Sequence, residues 1–363
     1  MKLLMVVGLG SVQDLVSEKK GAFYYTLEEF SKYWDRIDII CPRVKGQNSK
    51  VIFNNVHIHV SSWPLIFHPI WFIRKGLQIY KEQKFDFMTV HEFPPFYNGI
   101  GARLLWQKVR IPYLLEIHHI PGYPRPSNLR ERIYRIFMYW FIKFDTLHAR
   151  AIRVVNQYQT PKFLIRAGVP KDKIIYIPSM YIDLDIFRPT DSQKEYDLIF
   201  VGRLEKNKGL ELFVDAAIKT NARALIVGDG SLASDIKTRC TKYTNIVFHG
   251  WANDQREIAE LINKSVLLVM PSNNEGGPRV VLEAMACGVP VLATNVGLMP
   301  DLAHKNAIKI IDWDAEDIAQ KARELLGNKD ERDRLSRASL EISRQFEKKT
   351  MIRNYADNIK ALI

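Results

Sequence analysis

Residues 275–288 read Glu-Gly-Gly-Pro-Arg-Val-Val-Leu-Glu-Ala-Met-Ala-Cys-Gly, and this stretch decides the fold of the chain. The apolar run 266–271 directly before it has the pattern of a buried strand, and the residues after the Gly-Gly pair have the pattern of a helix. A glycine turn at such a junction exposes backbone N–H groups beside a helix N-terminus, which favours negative charge. The sequence therefore predicts a ligand site where this strand gives way to the helix.

Two glutamates, Glu275 and Glu283, stand eight positions apart within that stretch. An ionised carboxylate accepts up to four hydrogen bonds, so it suits the hydroxyl donors of a polyol and does not suit a phosphate. Glu283 follows Glu275 by about two helical turns, which allows it to reach a second set of hydroxyls. The pair is a candidate clamp for a ligand that carries both a sugar and a ribose.

A basic turn precedes this stretch in the chain. Residues 197–202 have the pattern of a short strand and residues 210–218 that of a helix, and the turn between them holds Arg203, Lys206 and Lys208. A diphosphate bound there would meet a guanidinium fork, an ammonium group and a helix N-terminus. The alternative for this segment, taken alone, is an ordinary solvated basic turn.

These motifs together resemble the retaining family 4 glycosyltransferases of the GT-B fold. The family's hallmark is a Glu, seven residues and a second Glu, followed by a helix like Glu-Ala-Met-Ala-Cys-Gly, and further matches lie at 201–209, 226–230 and 247–250. The resemblance implies an α/β protein of two doubly wound Rossmann-like domains facing across a cleft. It also implies a C-terminal helix that crosses back to the N-terminal domain.

The resemblance implies a set of site residues. The catalytic residues are His118, at the end of the strand-like run 112–118, and Glu275. The remaining positions are Arg203, Lys208 and Gly21 for the donor diphosphate, and Gly276, Gly277, Glu283, Gly228 and Gly250 for the donor sugar and nucleotide. Taken without the family, His118 and the adjacent His119 are equally compatible with ordinary loop histidines.

The chain departs from the family pattern at two places. The family shows a Gly-Gly pair in its first loop, whereas this chain has the single glycine Gly21 after a long loop, 10–20. The connector between the domains lacks its usual glycine and carries one extra residue at 178–183. These changes affect the donor pocket and leave the diphosphate and glutamate motifs unchanged.

Strand-like and helix-like runs alternate along the whole chain, which predicts parallel sheets wrapped by helices. The predicted strands are 2–8, 37–41, 57–60, 87–90, 113–117 and 153–156, then 197–201, 223–227, 246–249, 266–270, 291–293 and 307–310. We place the boundary near residues 187–190. This gives an acceptor-binding domain over 1–188, on which 347–363 packs back, and a nucleotide-sugar-binding domain over 189–346.

The net charge of +12 is unevenly distributed. Residues 1–180 carry 26 Lys+Arg and 13 Asp+Glu, which leaves 26 and 27 for the rest of the chain. A basic half is expected to meet anions such as lipid headgroups or lipid-linked phosphates. The basic residues form no dense run and no nucleic-acid-binding motif, so we expect no nucleic-acid partner.

Compartment and membrane contact are predicted from composition. We expect no signal peptide and no membrane-spanning helix, because the first ten residues have the pattern of a short strand and no apolar run reaches eighteen residues. The cysteines at 41, 240 and 287 are far apart, and this spacing favours reduced thiols in the cytoplasm. The segment 63–75 is a candidate contact with an anionic membrane at its inner face, through Trp63, Phe67, Trp71, Arg74 and Lys75. A second candidate for membrane contact is the apolar stripe over 133–147, but its strict helical spacing favours a core-facing helix.

The predicted activity is transfer of a hexose or hexosamine from a nucleoside diphosphate sugar to an acceptor hydroxyl on a lipid-linked or cell-envelope glycan precursor. No cofactor or metal is expected, because Arg203 and Lys208 can supply the positive charge and Asp183-Leu184-Asp185 lies in the interdomain connector. The alternatives are an epimerase or a phosphorolytic enzyme of the same fold, and more distantly a non-catalytic protein that binds anions or nucleic acid.

Overall fold

The computed structural model describes residues 1–8, 15, 22–43, 48–92 and 96–363. These residues divide into two compact units. The first unit contains Met1–Ile120, Ile133–Pro178 and Ile352–Ile363, and the second contains Pro121–Arg132 and Ser179–Met351. The chain therefore passes into the second unit at Pro178, somewhat before the predicted boundary, and the segment 121–132 joins that unit without any signal in the sequence.

The first unit is built on an eight-stranded sheet with the order β3-β4-β2-β1-β5-β6-β7-β8. Its strands are β1 Lys2–Val6, β2 Arg36–Cys41, β3 Lys50–Ile52, β4 Val56–Val60, β5 Phe87–His91, β6 Tyr113–Ile117, β7 Ala151–Val154 and β8 Ile174–Tyr176. All neighbours pair in parallel except β3 and β4, which are antiparallel. The two strands that the sequence did not predict, β3 and β8, are three-residue strands at the two edges.

Five helices connect these strands within the described residues. They are α1 Ala22–Phe30, α2 His68–Gln83, α3 Tyr97–Val109, α4 Leu129–Asp145 and α5 Gln159–Arg166. The central strands are apolar on both faces, as Leu3 and Leu4 show by being 0% exposed. This is the composition that a parallel sheet needs when helices cover both of its faces.

The second unit is built on a six-stranded parallel sheet with the order β11-β10-β9-β12-β13-β14. Its strands are β9 Tyr196–Val201, β10 Ala224–Val227, β11 Ile246–Gly250, β12 Ser265–Met270, β13 Val291–Thr294 and β14 Lys309–Ile311. Its helices are α6 Leu210–Thr220, α7 Ala233–Cys240, α8 Gln255–Asn263, α9 Arg279–Ala286, α10 Met299–Ala303, α11 Ala315–Gly327 and α12 Lys329–Ser343. Along β9, Leu198 and Phe200 enter one hydrophobic core and Ile199 enters another, so both faces of the sheet are covered.

The last helix, α13 Lys348–Lys360, returns the chain to the first unit, to which Ile352–Ile363 belongs. There the hydroxyl of Tyr355 donates a hydrogen bond to Glu116 on β6 at 2.6 Å. The ring of Tyr355 stacks on Phe30 of α1 at 4.9 Å between centroids. The predicted fold class, two Rossmann-like units with a returning C-terminal helix, is confirmed.

One prediction about orientation is wrong. The apolar stripe over 133–147 was expected to face the core, but its members are exposed. The face of α4 that is buried instead carries Met138, Ile142 and Asp145. Helical spacing shows only that the apolar residues share a face, so it cannot decide whether that face points inward.

All three cysteines are buried and none forms a disulfide. Within the described ranges, no helix has both the length and the hydropathy needed to cross a bilayer.

Candidate active site

Two loops of the second unit meet because the strands before them are neighbours. β9 and β12 pair in parallel, with Ile199 beside Leu268. Their carboxyl ends therefore lie at the same edge of the sheet, and the loops 202–209 and 271–278 both leave from that edge. Since the basic turn occupies the first loop and the Gly-Gly turn the second, the topology brings the two predicted motifs together.

A cavity of about 270 Å³ lies between these loops and the start of α9. Four predicted site residues, Arg203, Lys208, Glu275 and Glu283, line this one cavity. The other lining residues are Phe200, Val201, Gly202, Met270, Ser272, Pro278, Arg279 and Val280. Cations and carboxylates that are up to 80 positions apart in the sequence thus line the same cavity, together with several apolar side chains.

The close approach of the two loops depends on Gly209. Its φ is +67°, a left-handed value that glycine adopts without strain. A Cβ at this position would lie 2.0 Å from the carbonyl oxygen of Pro271, so no larger residue fits. The two loops are also joined by a hydrogen bond: the N–H of Asn273 donates to the carbonyl of Asn207 at 2.7 Å, which fixes the loops side by side.

This approach places Lys208 against Glu275. The Nζ atom of Lys208 is 2.5 Å from Oε1 of Glu275, and both side chains are largely buried. The hydroxyl of Ser272 donates to the same oxygen at 3.0 Å. Without a ligand, the ammonium and the carboxylate neutralise each other. A ligand with both an anionic group and hydroxyl groups offers each of them a replacement partner.

Ser272 is a site residue that the sequence analysis missed. Its carbonyl accepts hydrogen bonds from the hydroxyl of Thr294 at 2.6 Å and from the indole N–H of Trp313 at 2.9 Å. These bonds hold the backbone from which Ser272 reaches Glu275. Its position directly after a buried strand, one residue beyond Pro271, was the available signal, but a single serine at a strand end is too common to stand out.

The backbone N–H groups of Glu275, Gly276 and Gly277 face no hydrogen-bond acceptor in the part of the chain that the structure describes. Gly297 presses against this turn, since a Cβ on Gly297 would lie 2.3 Å from the carbonyl oxygen of Gly276. Backbone donors without partners next to a cavity are available to a bound oxygen atom. Gly276 and Gly277 do not themselves line the cavity, although Glu275 and Pro278 on either side of them do, so their predicted contact with a ligand stays a prediction.

Glu283 lies in the second turn of α9 and is 6% exposed. Burial raises the pKa of its carboxyl group to about 7, and the neighbouring positive charge of Arg279 only partly offsets this shift. The guanidinium of Arg279 lies 5.1 Å from the centre of the Tyr181 ring. Arg279 also lines the cavity but was not predicted as a site residue, although it stands between the two glutamates at the first helical position.

Arg203 is exposed and lines the cavity, whereas two glycines predicted for the donor sugar and nucleotide, Gly228 and Gly250, do not line it. Gly228 has a φ of +141°, and a Cβ there would lie 1.9 Å from the carbonyl oxygen of Gly202. The N–H of Gly228 donates to the carbonyl of Gly250 at 2.7 Å. Gly228 and Gly250 therefore support the strand ends at this edge and do not line the cavity itself.

His118 belongs to the first unit, just after β6. Burial lowers the pKa of its imidazole well below the ordinary value of 6.5, and the neighbouring His91 and Arg153 lower it further. The His91 ring is 4.3 Å away between centroids. Among the described residues the buried Nε2 atom has no hydrogen-bond partner, although Glu116 Oε2 lies 3.8 Å from it. The lowered pKa favours the neutral imidazole, and its Nε2 atom is shielded from solvent.

Gly21, the remaining predicted contact to the donor diphosphate, lies outside the described residues. Over the described ranges, no three His, Cys, Asp or Glu side chains are grouped so that they could hold a metal ion. The charged groups that line the cavity are three cations, Arg203, Lys208 and Arg279, and two carboxylates, Glu275 and Glu283.

Comparison with known proteins agrees with this architecture. Sucrose-phosphate synthase from Thermosynechococcus elongatus superimposes with a TM-score of 0.80 at 17% identity, covering 100% of this chain and 99% of that one. The fold and the two parallel-sheet domains are those of the GT-B glycosyltransferases.

The family follows from the sequence comparisons. The model for Glycosyltransferase Family 4 matches residues 24–181, and the model for Glycosyl transferases group 1 matches residues 182–341. An uncharacterised glycosyltransferase of Methanocaldococcus jannaschii is 33% identical, over 72% of this chain and 71% of its own. A UDP-Gal:alpha-D-GlcNAc-diphosphoundecaprenol alpha-1,3-galactosyltransferase of Escherichia coli is 26% identical over 60% of each. The chain belongs to the family 4 glycosyltransferases, as its motifs predicted.

Proposed function

We propose that this glycosyltransferase moves a hexose or hexosamine from a nucleoside diphosphate sugar to a hydroxyl group of a lipid-linked or other cell-envelope glycan precursor, with retention of the donor's anomeric configuration. The observation that carries this proposal is the single cavity in which Arg203, Lys208, Glu275 and Glu283 meet. The name of the Escherichia coli relative includes a donor and an acceptor of these classes.

The ion pair at the cavity opens when the donor binds. The diphosphate forms ion pairs with the ammonium group of Lys208 and the exposed guanidinium of Arg203, in a turn next to a helix N-terminus. Glu275, released from Lys208, accepts hydrogen bonds from the sugar hydroxyls while Gly276 and Gly277 offer their N–H groups. Glu283 accepts hydrogen bonds from the ribose. Lys208 and Glu275, which neutralise each other in the free protein, thus each exchange this partner for a group of the ligand.

In the chemical step the bond between the anomeric carbon and the diphosphate oxygen breaks, and a bond from the acceptor oxygen to that carbon forms. The acceptor's proton passes to the departing phosphate oxygen on the same face of the sugar. Arg203 and Lys208 stabilise the negative charge that develops on the diphosphate, so that no metal is required. His118, as a neutral imidazole, binds a hydroxyl of the sugar or of the acceptor.

We place the enzyme in the cytoplasm at the inner face of the membrane, where lipid-linked acceptors are accessible. The segment 63–75 is one proposed contact. Phe67 and Arg74 are exposed there, whereas Trp63, Trp71 and Lys75 are half-buried. The guanidinium of Arg74 lies 5.5 Å from the centre of the Trp63 ring, so that a cation and an aromatic group stand side by side at this surface.

The first test is thermal unfolding with a panel of nucleoside diphosphates and their sugars. A ligand that binds only the folded protein at about 100 times its Kd stabilises it by about 2.7 kcal/mol. We expect one nucleotide to raise the Tm, and Arg203→Ala and Lys208→Ala to weaken its binding by about tenfold or more, since each removes a charged contact. Lys206→Ala is the matched control, because Lys206 lies in the same turn but does not line the cavity.

The second test is turnover. With donor and acceptor present, the expected result is a glycosylated acceptor whose anomeric configuration, read by NMR, equals that of the donor, formed equally in the presence of EDTA. Sugar release that needs inorganic phosphate would indicate a phosphorolytic enzyme, and a changed sugar still attached to nucleotide an epimerase. Nucleotide binding without any turnover would leave the non-catalytic alternative.

A further inference from the structure

The outer surface of α4 is apolar where a surface helix is normally polar. Among the described residues, Trp140 is 74% exposed, Phe144 53% and Phe137 51%. The same face also exposes Ile133, Ile136, Phe141 and Leu147. These seven residues, which we call the α4 surface, follow one another at intervals of three or one positions, so they form a continuous stripe that ends at Leu147, two residues beyond the helix.

The α4 surface is not a consequence of a poorly packed helix. The opposite face is well packed, with Met138 and Ile142 both 0% exposed. Its neighbours lie close on both sides. The guanidinium of Arg103 on α3 lies 3.7 Å from the centre of the Phe144 ring, and the hydroxyl of Tyr139 donates to the carbonyl of Arg166 on α5 at 2.8 Å. The helix is held firmly with its aromatic residues outward.

Positive charge surrounds the α4 surface. The helices α3, α4 and α5 carry the following cations: Arg103, Lys108, Arg130, Arg132, Arg135, Lys143, Lys162 and Arg166. Their two carboxylates are directed elsewhere. Glu131 accepts hydrogen bonds from the N–H of Ser127 and from the side chain of Asn274, and Asp145 is 1% exposed. These three helices therefore carry eight cations and no exposed carboxylate to balance them, and Arg103 lies directly against the Phe144 ring of the α4 surface.

We infer that the α4 surface docks on a lipid bilayer that contains anionic phospholipids. Large apolar and aromatic side chains bordered by Arg and Lys are typical of helices that lie in the membrane interface, with rings among the acyl chains and cations at the headgroups. A second copy of the chain is a poorer occupant. A two-fold contact through this surface would bring two sets of these cations together, with no exposed carboxylate on the three helices to pair with them.

This inference rests on the membrane location in the proposed function and deepens it by naming a docking surface, and it concerns neither the donor nor the acceptor. It adds a surface to the segment 63–75, and the α4 surface exposes more aromatic side chains than that segment does. Binding to vesicles is measured without nucleotide or acceptor, so its failure would not bear on glycosyl transfer.

The first test is flotation of the whole protein with vesicles of phosphatidylcholine alone or mixed with phosphatidylglycerol. We expect binding to the mixed vesicles, weakening as salt rises. The triple variant Phe137→Ser, Trp140→Ser, Phe144→Ser is expected to bind at least about tenfold more weakly, a loss of about 1.4 kcal/mol. Arg132→Glu with Lys143→Glu should lose binding to the mixed vesicles in the same way. Trp251→Ser is the matched control, since it removes an exposed Trp, 63% exposed, from the second unit.

A second measurement does not depend on how the triple variant folds. Because the three native cysteines are buried, a polarity-sensitive fluorophore on Trp140→Cys reacts selectively at the new thiol. We expect its emission to shift to the blue on mixed vesicles, and the same label on Trp251→Cys to remain unchanged. Unchanged flotation of the folded triple variant, or an unshifted label at 140, would overturn the inference. So would a dimer that the triple variant converts to a monomer without any change in flotation.

Discussion

At the scale of single residues, the buried carboxyl of Glu283 has a cost in stability that the proposed binding of a ribose would offset. A carboxyl that is 6% exposed loses most of its hydration, and the pKa raised to about 7 expresses that loss. Ribose hydroxyls would restore hydrogen bonds to the ionised group when a nucleotide binds. The residue is therefore tuned for the complex, and the free protein carries the energetic cost of its ionisation.

Glu283→Gln is expected to stabilise the free protein increasingly as pH rises. The pKa of Glu283 in the folded protein lies above the ordinary value of 4.5. The contribution of the protonated carboxyl to stability is therefore fully present below pH 4.5 and is lost as pH rises through about 7. The variant should gain little at pH 5 and up to about 3 kcal/mol at pH 8, while losing nucleotide affinity. Denaturant unfolding at both pH values measures this.

The control for this substitution is Glu341→Gln, whose side chain is exposed on α12 and which should behave alike at pH 5 and pH 8. An equal stability difference between Glu283→Gln and the parent at the two pH values would contradict the account of a buried, costly carboxylate. Unchanged nucleotide affinity would remove Glu283 from the proposed site.

At the scale of elements, the site depends on the approach of two loops that follow neighbouring strands. β9 and β12 set the direction of both loops, but the distance between them is set by Gly209, whose missing side chain lets the basic turn reach the backbone of Pro271. Lys208 precedes this glycine and meets Glu275 across the gap. A glycine that does not line the cavity thus controls the geometry of Lys208 and Glu275, which do.

Gly209→Ala is expected to destabilise the protein by about 1–3 kcal/mol, because alanine is strained at a φ of +67° and its Cβ would meet the carbonyl of Pro271. Nucleotide affinity should fall with it, since Lys208 is displaced. Gly327→Ala is the matched control: Gly327 ends α11, and a Cβ there meets nothing within 4 Å. Thermal unfolding with and without nucleotide tests both, and similar behaviour of the two variants would contradict this role.

At the scale of the whole molecule, the sequence predicted what is local and missed what is distant. The motif around Glu275 and the alternation of strands are local patterns, so both the fold class and the cluster of cations and carboxylates could be anticipated. The outward direction of Trp140 could not, because periodicity does not say which side of a helix is covered. The bond from Tyr355 to Glu116 spans 239 positions and has no signature in either segment.

That long-range bond leads to the last prediction, which concerns how the C-terminal helix is held in the first unit. Tyr355 donates to Glu116, and the guanidinium of Arg153 donates to the same carboxylate at 2.8 Å. The pKa of Tyr355 is held well above its ordinary value of 10 by burial and by Glu116, so the hydroxyl remains a donor. A hydrogen bond to a charged group contributes about 1.5–3 kcal/mol.

Tyr355→Phe removes only this hydroxyl and keeps the ring on Phe30, so we expect it to lower the free energy of unfolding by about 2 kcal/mol. Asn358→Ala is the control on the same helix, because the exposed Asn358 amide donates to the carbonyl of Asn354 within α13 and, among the described residues, to no other group. Urea unfolding, followed by fluorescence and by circular dichroism, compares the two. If α13 is anchored through Glu116, Tyr355→Phe unfolds at lower urea and Asn358→Ala does not. Equal midpoints would mean that apolar packing alone, through side chains such as Ile359, retains the helix.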